Sequence, residues 1–192
     1  MALYIDGPDR VRNMAFQDNT FLRILKPAME KGEIDALSNL DPVITQLEST
    51  GKFVAVADSR TEKGMNEIYG GDYHASVIYI TEEYIKKYPN TVQAVVNAIV
   101  RADRWVAKAS PQEIVDLMPD AYKAGNPSLY KAGLLKNMIG YSEDGQMSMK
   151  AAQNVYKVLK QFEPSVMKAG DTLKLESTFD NSFARKAAAK YK

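Results

Sequence analysis

The stretch from Glu30 to Arg60 constrains the fold most, because helix-ending and helix-starting residues alternate in it with two short apolar runs. Gly32 is typical of a helix end, and residues 34–37 (IDAL) follow as a predicted strand. Asp41-Pro42 predicts the start of a helix. A carboxylate can accept free N–H groups of the first turn, and proline has no N–H that would need a partner there.

The second half of this stretch completes a strand–helix–strand unit. Gly51 predicts the end of the helix, and residues 53–57 (FVAVA) are predicted to form a second, buried strand. In open α/β sheets, ligands bind at the carboxyl ends of strands. The polar residues between the first strand and the helix are therefore candidate ligand groups, namely Ser38, Asn39 and Asp41.

Further candidates follow in the polar connection 58–74, which contains Gly70-Gly71. Arg60 is a candidate cation for an anionic ligand. Tyr73 and His74 directly precede residues 75–80 (ASVIYI), which are predicted as a third strand. His74 is the single histidine of the chain, and it is interpreted either as an ordinary loop residue or as a ligand group.

The rest of the chain is predicted to be almost wholly helical. An apolar stripe from Val92 to Val106 predicts an amphipathic helix that packs on the strand 75–80. A further helix is predicted over residues 10–31, with a break near Pro27. The predicted N-caps of the later helices are Thr81, Asn90, Ser110, Asn126 and Ser148.

Composition excludes several classes of function. Lys plus Arg (25) nearly equals Asp plus Glu (24), so the formal net charge is only +1 and does not attract nucleic acid or an anionic membrane. No cysteine is present, so disulfides, thiolate metal sites and a cysteine nucleophile are excluded. The HExxH, Walker A, GxGxxG and GxSxG motifs are all missing. We therefore expect no catalysis, no metal and no cofactor.

Three segments carry a resemblance to a known family: KGEIDALSNLDPVITQLE, then GGDYHASVIYITEEYIKKYPNTVQAVVNAIVRADRWV, then TFDNSFARKA. Over residues 28–186 the chain resembles the periplasmic solute-binding proteins of ABC importers. The group concerned takes up nitrate, aliphatic sulfonates, taurine and thiamine-pyrimidine precursors. The resemblance implies an α/β fold of the type II periplasmic-binding-protein kind. That fold has a small parallel or mixed sheet flanked by helices and a mostly helical C-terminal half.

The resemblance also implies a function. The protein would capture a small anionic or heterocyclic solute between two lobes and deliver it to a membrane permease. Residues 1–57 would be a remnant of one lobe and residues 58–192 the second lobe. The location would be periplasmic or extracellular and lipid-anchored, although residues 1–30 lack a secretion signal. The implied ligand groups are Ser38, Asn39, Asp41, Arg60, Tyr73 and His74.

Departures from the family pattern keep two alternatives open. The sequence that forms the first lobe in the family is missing, which favours a truncated or rebuilt domain that forms a homodimer or swaps domains. A related pyrimidine-synthase-like enzyme is the other alternative, but that family uses a cysteine-rich motif. Sulfonate binders often have an aromatic residue before the Asp-Pro pair, where this chain has Asn39-Leu40, which argues against a sulfonate.

Overall fold

The computed structural model describes residues 27–123 and 125–191. The helix predicted over residues 10–31 lies largely outside these residues, which begin with a helical run at 27–30. The α-helices that follow in the described part are α1 Val43–Ser49, α2 Glu62–Tyr69, α3 Glu82–Lys87, α4 Pro89–Val106, α5 Pro111–Leu117, α6 Pro127–Asn137, α7 Met149–Phe162, α8 Pro164–Ala169 and α9 Ser182–Lys190. Short 3-10 turns occur at Asp120–Lys123, Met138–Gly140, Gly170–Thr172 and Leu175–Ser177.

The α/β prediction is wrong. Residues 34–37, 53–57 and 75–80 form no strand, and no sheet exists among the described residues, so the chain is all-helical there. The predicted fold of the periplasmic-binding-protein kind is corrected accordingly. The physical reason is that a strand needs a second backbone to pair with, which a local apolar run cannot supply. Val54 and Val56, predicted to be buried, are 85% and 80% exposed.

The chain groups into two compact units. Unit 1 contains Met1–Thr61 together with Ser110–Ile139, and unit 2 contains Glu62–Ala109 together with Gly140–Lys192. Each unit is therefore built from two separate stretches of the chain. The lobe boundary predicted between residues 57 and 58 remains a prediction.

Unit 1 is held by contacts of α6 with α1 and with α5. Leu47 of α1 and Leu37 of the preceding segment form its small core, against which other apolar side chains are partly buried. Burial of these side chains, rather than strand pairing, fixes residues 34–37 and Phe53 in place. The partly buried side chains are Met29, Ile34, Val43 and Phe53.

Unit 2 is built mainly around α4, which packs on the closing helix α9. Val92 and Val100 of α4 are buried, whereas Val95 and Ile99 of the same predicted stripe stay about two-fifths exposed. Helix α7 contacts α8 and α2. The amphipathic helix thus exists, but its partner is a helix and not the predicted strand.

The N-cap of α1 is Pro42, without a side-chain cap, rather than the predicted Asp41, whose Oδ1 accepts the N–H of Thr45 from one residue earlier. Four of the five N-caps predicted for the later helices are confirmed. At Thr81, Ser110, Asn126 and Ser148, the side chain of the cap residue accepts a backbone N–H of the first helical turn. The donors are, in the same order, Tyr84, Glu113, Leu129 and Ala151. The cap predicted at Asn90 is wrong, because α4 begins one residue earlier at Pro89 and has no side-chain cap. Along the described residues, no helix has both the length and the apolarity needed to cross a membrane.

Candidate functional site

The six predicted ligand residues fall into both units, so they are described as two groups. The members in unit 1 are Ser38, Asn39, Asp41 and Arg60, and those in unit 2 are Tyr73 and His74.

Asp41 and Arg60 lie together in unit 1. Arg60 Nη1 donates to Asp41 Oδ2 at 3.1 Å, and less than a tenth of either side chain is exposed. Asp41 Oδ1 also accepts the backbone N–H and the hydroxyl of Thr45 at 2.9 and 2.6 Å. Asn137 Nδ2 donates to Asp41 Oδ2 at 2.6 Å. Asp41 is thus hydrogen-bonded to groups of α1 and α6 and to the segment after α1.

Arg60 is saturated by three carboxylates. Its Nε and Nη2 donate to the two oxygens of Asp58, each at 2.8 Å, which is the bidentate geometry that suits a guanidinium. Nη2 also donates to Glu48 at 2.9 Å. Lys136 pairs with the other oxygen of Glu48. We call this set the ionic cluster: Asp41, Thr45, Glu48, Asp58, Arg60, Lys136 and Asn137.

The pKa values of the cluster follow from its hydrogen bonds. The side chain of Arg60 holds the pKa of Asp58 at about 2, below its ordinary 3.8. Burial alone would raise the pKa of Asp41, but hydrogen bonds from Thr45, Arg60 and Asn137 outweigh burial and lower it. All these carboxylates are therefore ionised at neutral pH.

The cluster as a whole does not suit an anion. Its three carboxylates face two cations, Arg60 and Lys136, which leaves one net negative charge. Every nitrogen of the Arg60 guanidinium already donates to a protein oxygen. The arrangement holds α1, α6 and the segment 58–60 together, and it leaves no free donor of Arg60 for an anionic ligand.

Gly133 allows α6 to approach this cluster. A Cβ at this glycine would lie 3.3 Å from the Asp41 Cβ. Gly133 also accepts a hydrogen bond from Asn137 Nδ2 through its carbonyl oxygen, at 2.8 Å. The small residue thus sets the distance at which Asn137 can reach Asp41.

Asn39 is one of two described residues of unit 1, with Gln46, in which a buried polar atom has no hydrogen-bond partner. Its Oδ1 accepts the N–H of Leu40 at 2.7 Å, while its Nδ2 is buried without a hydrogen-bond partner among the described residues. Leaving a buried donor unpaired is unfavourable, so an acceptor from a ligand would be stabilising there. Ser38 lies half-buried in the irregular segment just before it.

Tyr73 and His74 border a cavity in unit 2 with a volume of about 380 Å³. Most of its surface is apolar, and the lining residues with polar side-chain groups are Tyr73, His74, Tyr79, Tyr156 and Thr178. A concave apolar site with few polar groups is typical of small-molecule sites. The other lining residues are Ala75, Val77, Met147, Ala152, Val155, Leu159, Val166, Leu173 and Leu175.

Two tyrosines at this cavity, Tyr73 and Tyr156, are each held by one contact. The Tyr73 ring stacks on Tyr69 at the end of α2, with 4.2 Å between ring centroids. Burial raises the pKa of Tyr73, so its hydroxyl remains protonated and can donate a hydrogen bond. Tyr156, which also lines the cavity, donates its hydroxyl to the Gly170 carbonyl at 2.8 Å, which fixes its ring.

Gly71 allows α7 to approach the loop that precedes Tyr73. Its φ is +139°, and a Cβ at this position would lie 2.9 Å from Asn154 Nδ2. Asn154 Nδ2 donates to the Asp72 carbonyl at 3.2 Å. This glycine of the predicted Gly70-Gly71 loop therefore has a definite structural role beside the cavity.

Sequence reasoning missed most partners at both places. The spacing Asp58-x-Arg60 is a local signal for the ion pair between these two residues. Lys136 and Asn137 lie about ninety residues after their partners Glu48 and Asp41, so no local pattern predicts those contacts. The helical residues that line the cavity looked like ordinary core positions. In the part of the chain that the structure describes, no group of three or more His, Cys, Asp or Glu side chains is arranged so that it could hold a metal ion.

The comparisons with known proteins give one solved structure. No protein-family model matches the chain, and no curated protein matches it. A solved structure of a protein from Bordetella bronchiseptica RB50 is similar, with a TM-score of 0.77 and 38% sequence identity. The similarity covers 86% of this chain and 51% of that protein, so the chain spans about half the length of its relative.

Proposed function

We propose that the chain is the solute-binding component of an ABC importer, without catalysis, and that it binds its solute at the cavity of unit 2. The observation that carries this proposal is the position of Tyr73 and His74 at the edge of an apolar cavity of about 380 Å³. Both residues were candidates before the cavity was known. The resemblance of residues 28–186 to importer proteins is the support for transport.

The surroundings favour a flat heterocyclic solute over a small anion. Tyr73 and Tyr156 contribute aromatic side chains to the lining, and the protonated Tyr73 hydroxyl is a hydrogen-bond donor. The ionic cluster in unit 1 is net negative, and its Arg60 has no spare donor. A pyrimidine-like ring with hydrogen-bonding edges fits the cavity chemistry better than nitrate or a sulfonate does.

Calorimetric titration and thermal unfolding with pyrimidines, aliphatic sulfonates, taurine and nitrate test this proposal. We expect a pyrimidine to bind with one-to-one stoichiometry and to raise Tm, whereas the anions leave Tm unchanged. Tyr73→Ala should weaken binding at least about tenfold, or about 1.4 kcal/mol. The matched control is Tyr141→Ala, since Tyr141 is an exposed tyrosine of the same unit outside the cavity.

Two outcomes would contradict the proposal. One is the absence of any response to every solute class at millimolar concentration while circular dichroism shows a folded helical protein. The other is equal loss of affinity in the Tyr73 and Tyr141 variants, which would place the ligand elsewhere.

A further inference from the structure

The lining of the unit 2 cavity contains no Asp, Glu, Lys or Arg side chain. Among the lining residues, His74 alone has a side chain that protonation can make cationic near neutral pH. A charged ligand group that leaves water needs a partner of opposite charge, and without one its transfer to an apolar site is unfavourable. The cavity therefore favours an uncharged ligand.

Three of the polar lining residues lie close together in the sequence. Tyr73, His74 and Tyr79 belong to the segment between α2 and α3, and their side chains can donate or accept hydrogen bonds. The hydroxyl of Tyr156, in contrast, already donates to the Gly170 carbonyl. We therefore expect the hydrogen-bonding edge of a ligand ring to meet the segment 73–79.

Helix α7 contributes an apolar face to the same cavity. Ala152, Val155 and Leu159 line it, and their spacings of three and four residues place them on one side of the helix. Helix α7 also contacts α8 and the turn Leu175–Ser177. This region of the chain adds further apolar side chains to the lining, namely Val166, Leu173 and Leu175.

The cavity is larger than a single ring requires. A dry apolar cavity of roughly 150 Å³ is enough to bind benzene in another protein, whereas this cavity has a volume of about 380 Å³. Space that stays empty beside a ligand forfeits contacts with the surrounding side chains. A ligand that fills the cavity therefore has several carbon atoms in addition to a ring.

We propose that the solute of this site is an uncharged pyrimidine-like ring with an apolar substituent, which packs on the apolar face of α7. This inference rests on the function proposed above and narrows the class of solute. Met147 also lines the cavity, and its flexible side chain can pack against substituents of different length. Its backbone is fixed by Asn181, which accepts the Met147 N–H at 3.0 Å and donates to the Met147 carbonyl at 2.8 Å.

Calorimetric titration with uracil and with its methyl, propyl and pentyl derivatives, all substituted at the same ring carbon, tests this inference. These pyrimidines are uncharged at neutral pH and differ only in the length of the substituent. We expect the affinity to rise roughly fourfold for each added methylene until the cavity is filled. A derivative of the same length as the pentyl compound that ends in a carboxylate should bind at least about tenfold more weakly than it.

Two valine substitutions in α7 test where the substituent lies. Val155 and Val158 are both half-buried, but Val155 lines the cavity and Val158 does not. We expect Val155→Ala to weaken binding of the pentyl derivative at least about threefold and to leave the affinity for uracil unchanged, because two methyl groups that contact the substituent are lost. Val158→Ala is the matched control and should leave both affinities unchanged.

Different outcomes separate this inference from the proposed function. Equal affinities for uracil and the pentyl derivative would overturn the inference and leave the pyrimidine site in place, as would equal effects of the two valine substitutions. Tighter binding of the carboxylate derivative than of the pentyl derivative would overturn the uncharged class. If no member of the series binds to a protein that circular dichroism shows to be folded, both proposals fail. If Val155→Ala is unfolded, the ligand series on the wild type decides alone.

Discussion

The ionic cluster of unit 1 and the cavity of unit 2 both contain predicted ligand residues, yet they differ in what remains unsatisfied. In the cluster, Asp41 and Arg60 have all their polar groups hydrogen-bonded to protein. At the cavity, Tyr73 and His74 border open volume with an apolar lining. A charged residue at a helix start can thus be a structural element, while less conspicuous residues border open volume.

The comparison gives a rule for choosing between candidate sites. A buried group that already has its full set of partners would have to give one up to bind a ligand, and that exchange has little net gain. A cavity offers new contacts without breaking existing ones. Substitutions in the ionic cluster should therefore lower the free energy of unfolding through lost ion pairs, whereas a substitution beside the cavity should lower it through backbone strain.

The largest effect is expected from Arg60→Met. Removing the guanidinium leaves three carboxylates close together without their shared cation, and breaking a buried ion pair in this way typically lowers the free energy of unfolding by about 3–5 kcal/mol. Urea unfolding at pH 7 measures it. Lys63→Met is the control, since the Lys63 ion pair with Glu67 is on the surface, with the Lys63 side chain 85% exposed, and should matter little. Similar effects of the two substitutions would show that the cluster is not structural.

The next effect is a dependence of stability on acid pH. The folded pKa of Asp58 is about 2, below its ordinary 3.8. Between these two pKa values the unfolded chain binds more protons than the folded chain does. The contribution of Asp58 to the free energy of unfolding is therefore fully present above about pH 4 and is lost as the pH falls toward 2. With about 1.4 kcal/mol per pKa unit, Asp58 accounts for about 2 kcal/mol. The lowered pKa values of Asp41 and Glu48 act in the same direction.

Urea unfolding in steps from pH 6 to pH 2 checks this dependence. Asp58→Asn should flatten the curve, because the substituted side chain does not titrate. Asp120→Asn should leave the slope as in wild type, since the Asp120 side chain is fully exposed. Identical slopes in wild type and Asp58→Asn would contradict the assignment.

The smallest effect is expected from Gly71→Ala beside the cavity. Alanine is strained at a φ of +139°, and its Cβ would lie 2.9 Å from Asn154 Nδ2, so we expect a loss of about 1–2 kcal/mol. Thermal unfolding measures it. Gly140→Ala is the control, because nothing lies within 4 Å of a Cβ there. Adding Asn154→Ala should recover the steric part of the loss but not the backbone part, and full recovery would rule out strain.

Local signals in the sequence predicted local structure well. Thr81, Ser110, Asn126 and Ser148 were recognised as N-caps because a cap is decided by residues within one turn of it. The strands failed for the opposite reason. Residues 53–57 and 75–80 have strand composition, but pairing depends on a second backbone that no local pattern specifies.

The candidate site was predicted in part for the same reason. Asp41, Arg60, Tyr73 and His74 were singled out by their positions, and all four lie at polar or concave features of the structure. Asp58 is only two residues from Arg60, but the full saturation of Arg60 could not be foreseen, because Glu48 and Asp41 reach it only through packing of α1 and the residues before it. Asn137 and Asp41 are 96 residues apart in the sequence, and a local sequence motif cannot predict a contact over that separation.

The interleaving of the two units has a consequence for how the chain is made. A ribosome releases the first stretch of unit 1, then Glu62–Ala109 of unit 2, and only then Ser110–Ile139. Until Asn137 emerges, Asp41 lacks its partner from α6, and both units are incomplete in the nascent chain. Neither unit can therefore fold completely during early synthesis, and folding is completed only when the second stretches have been released. A stop or a protease cut between residues 62 and 109 would leave unit 1 without α6.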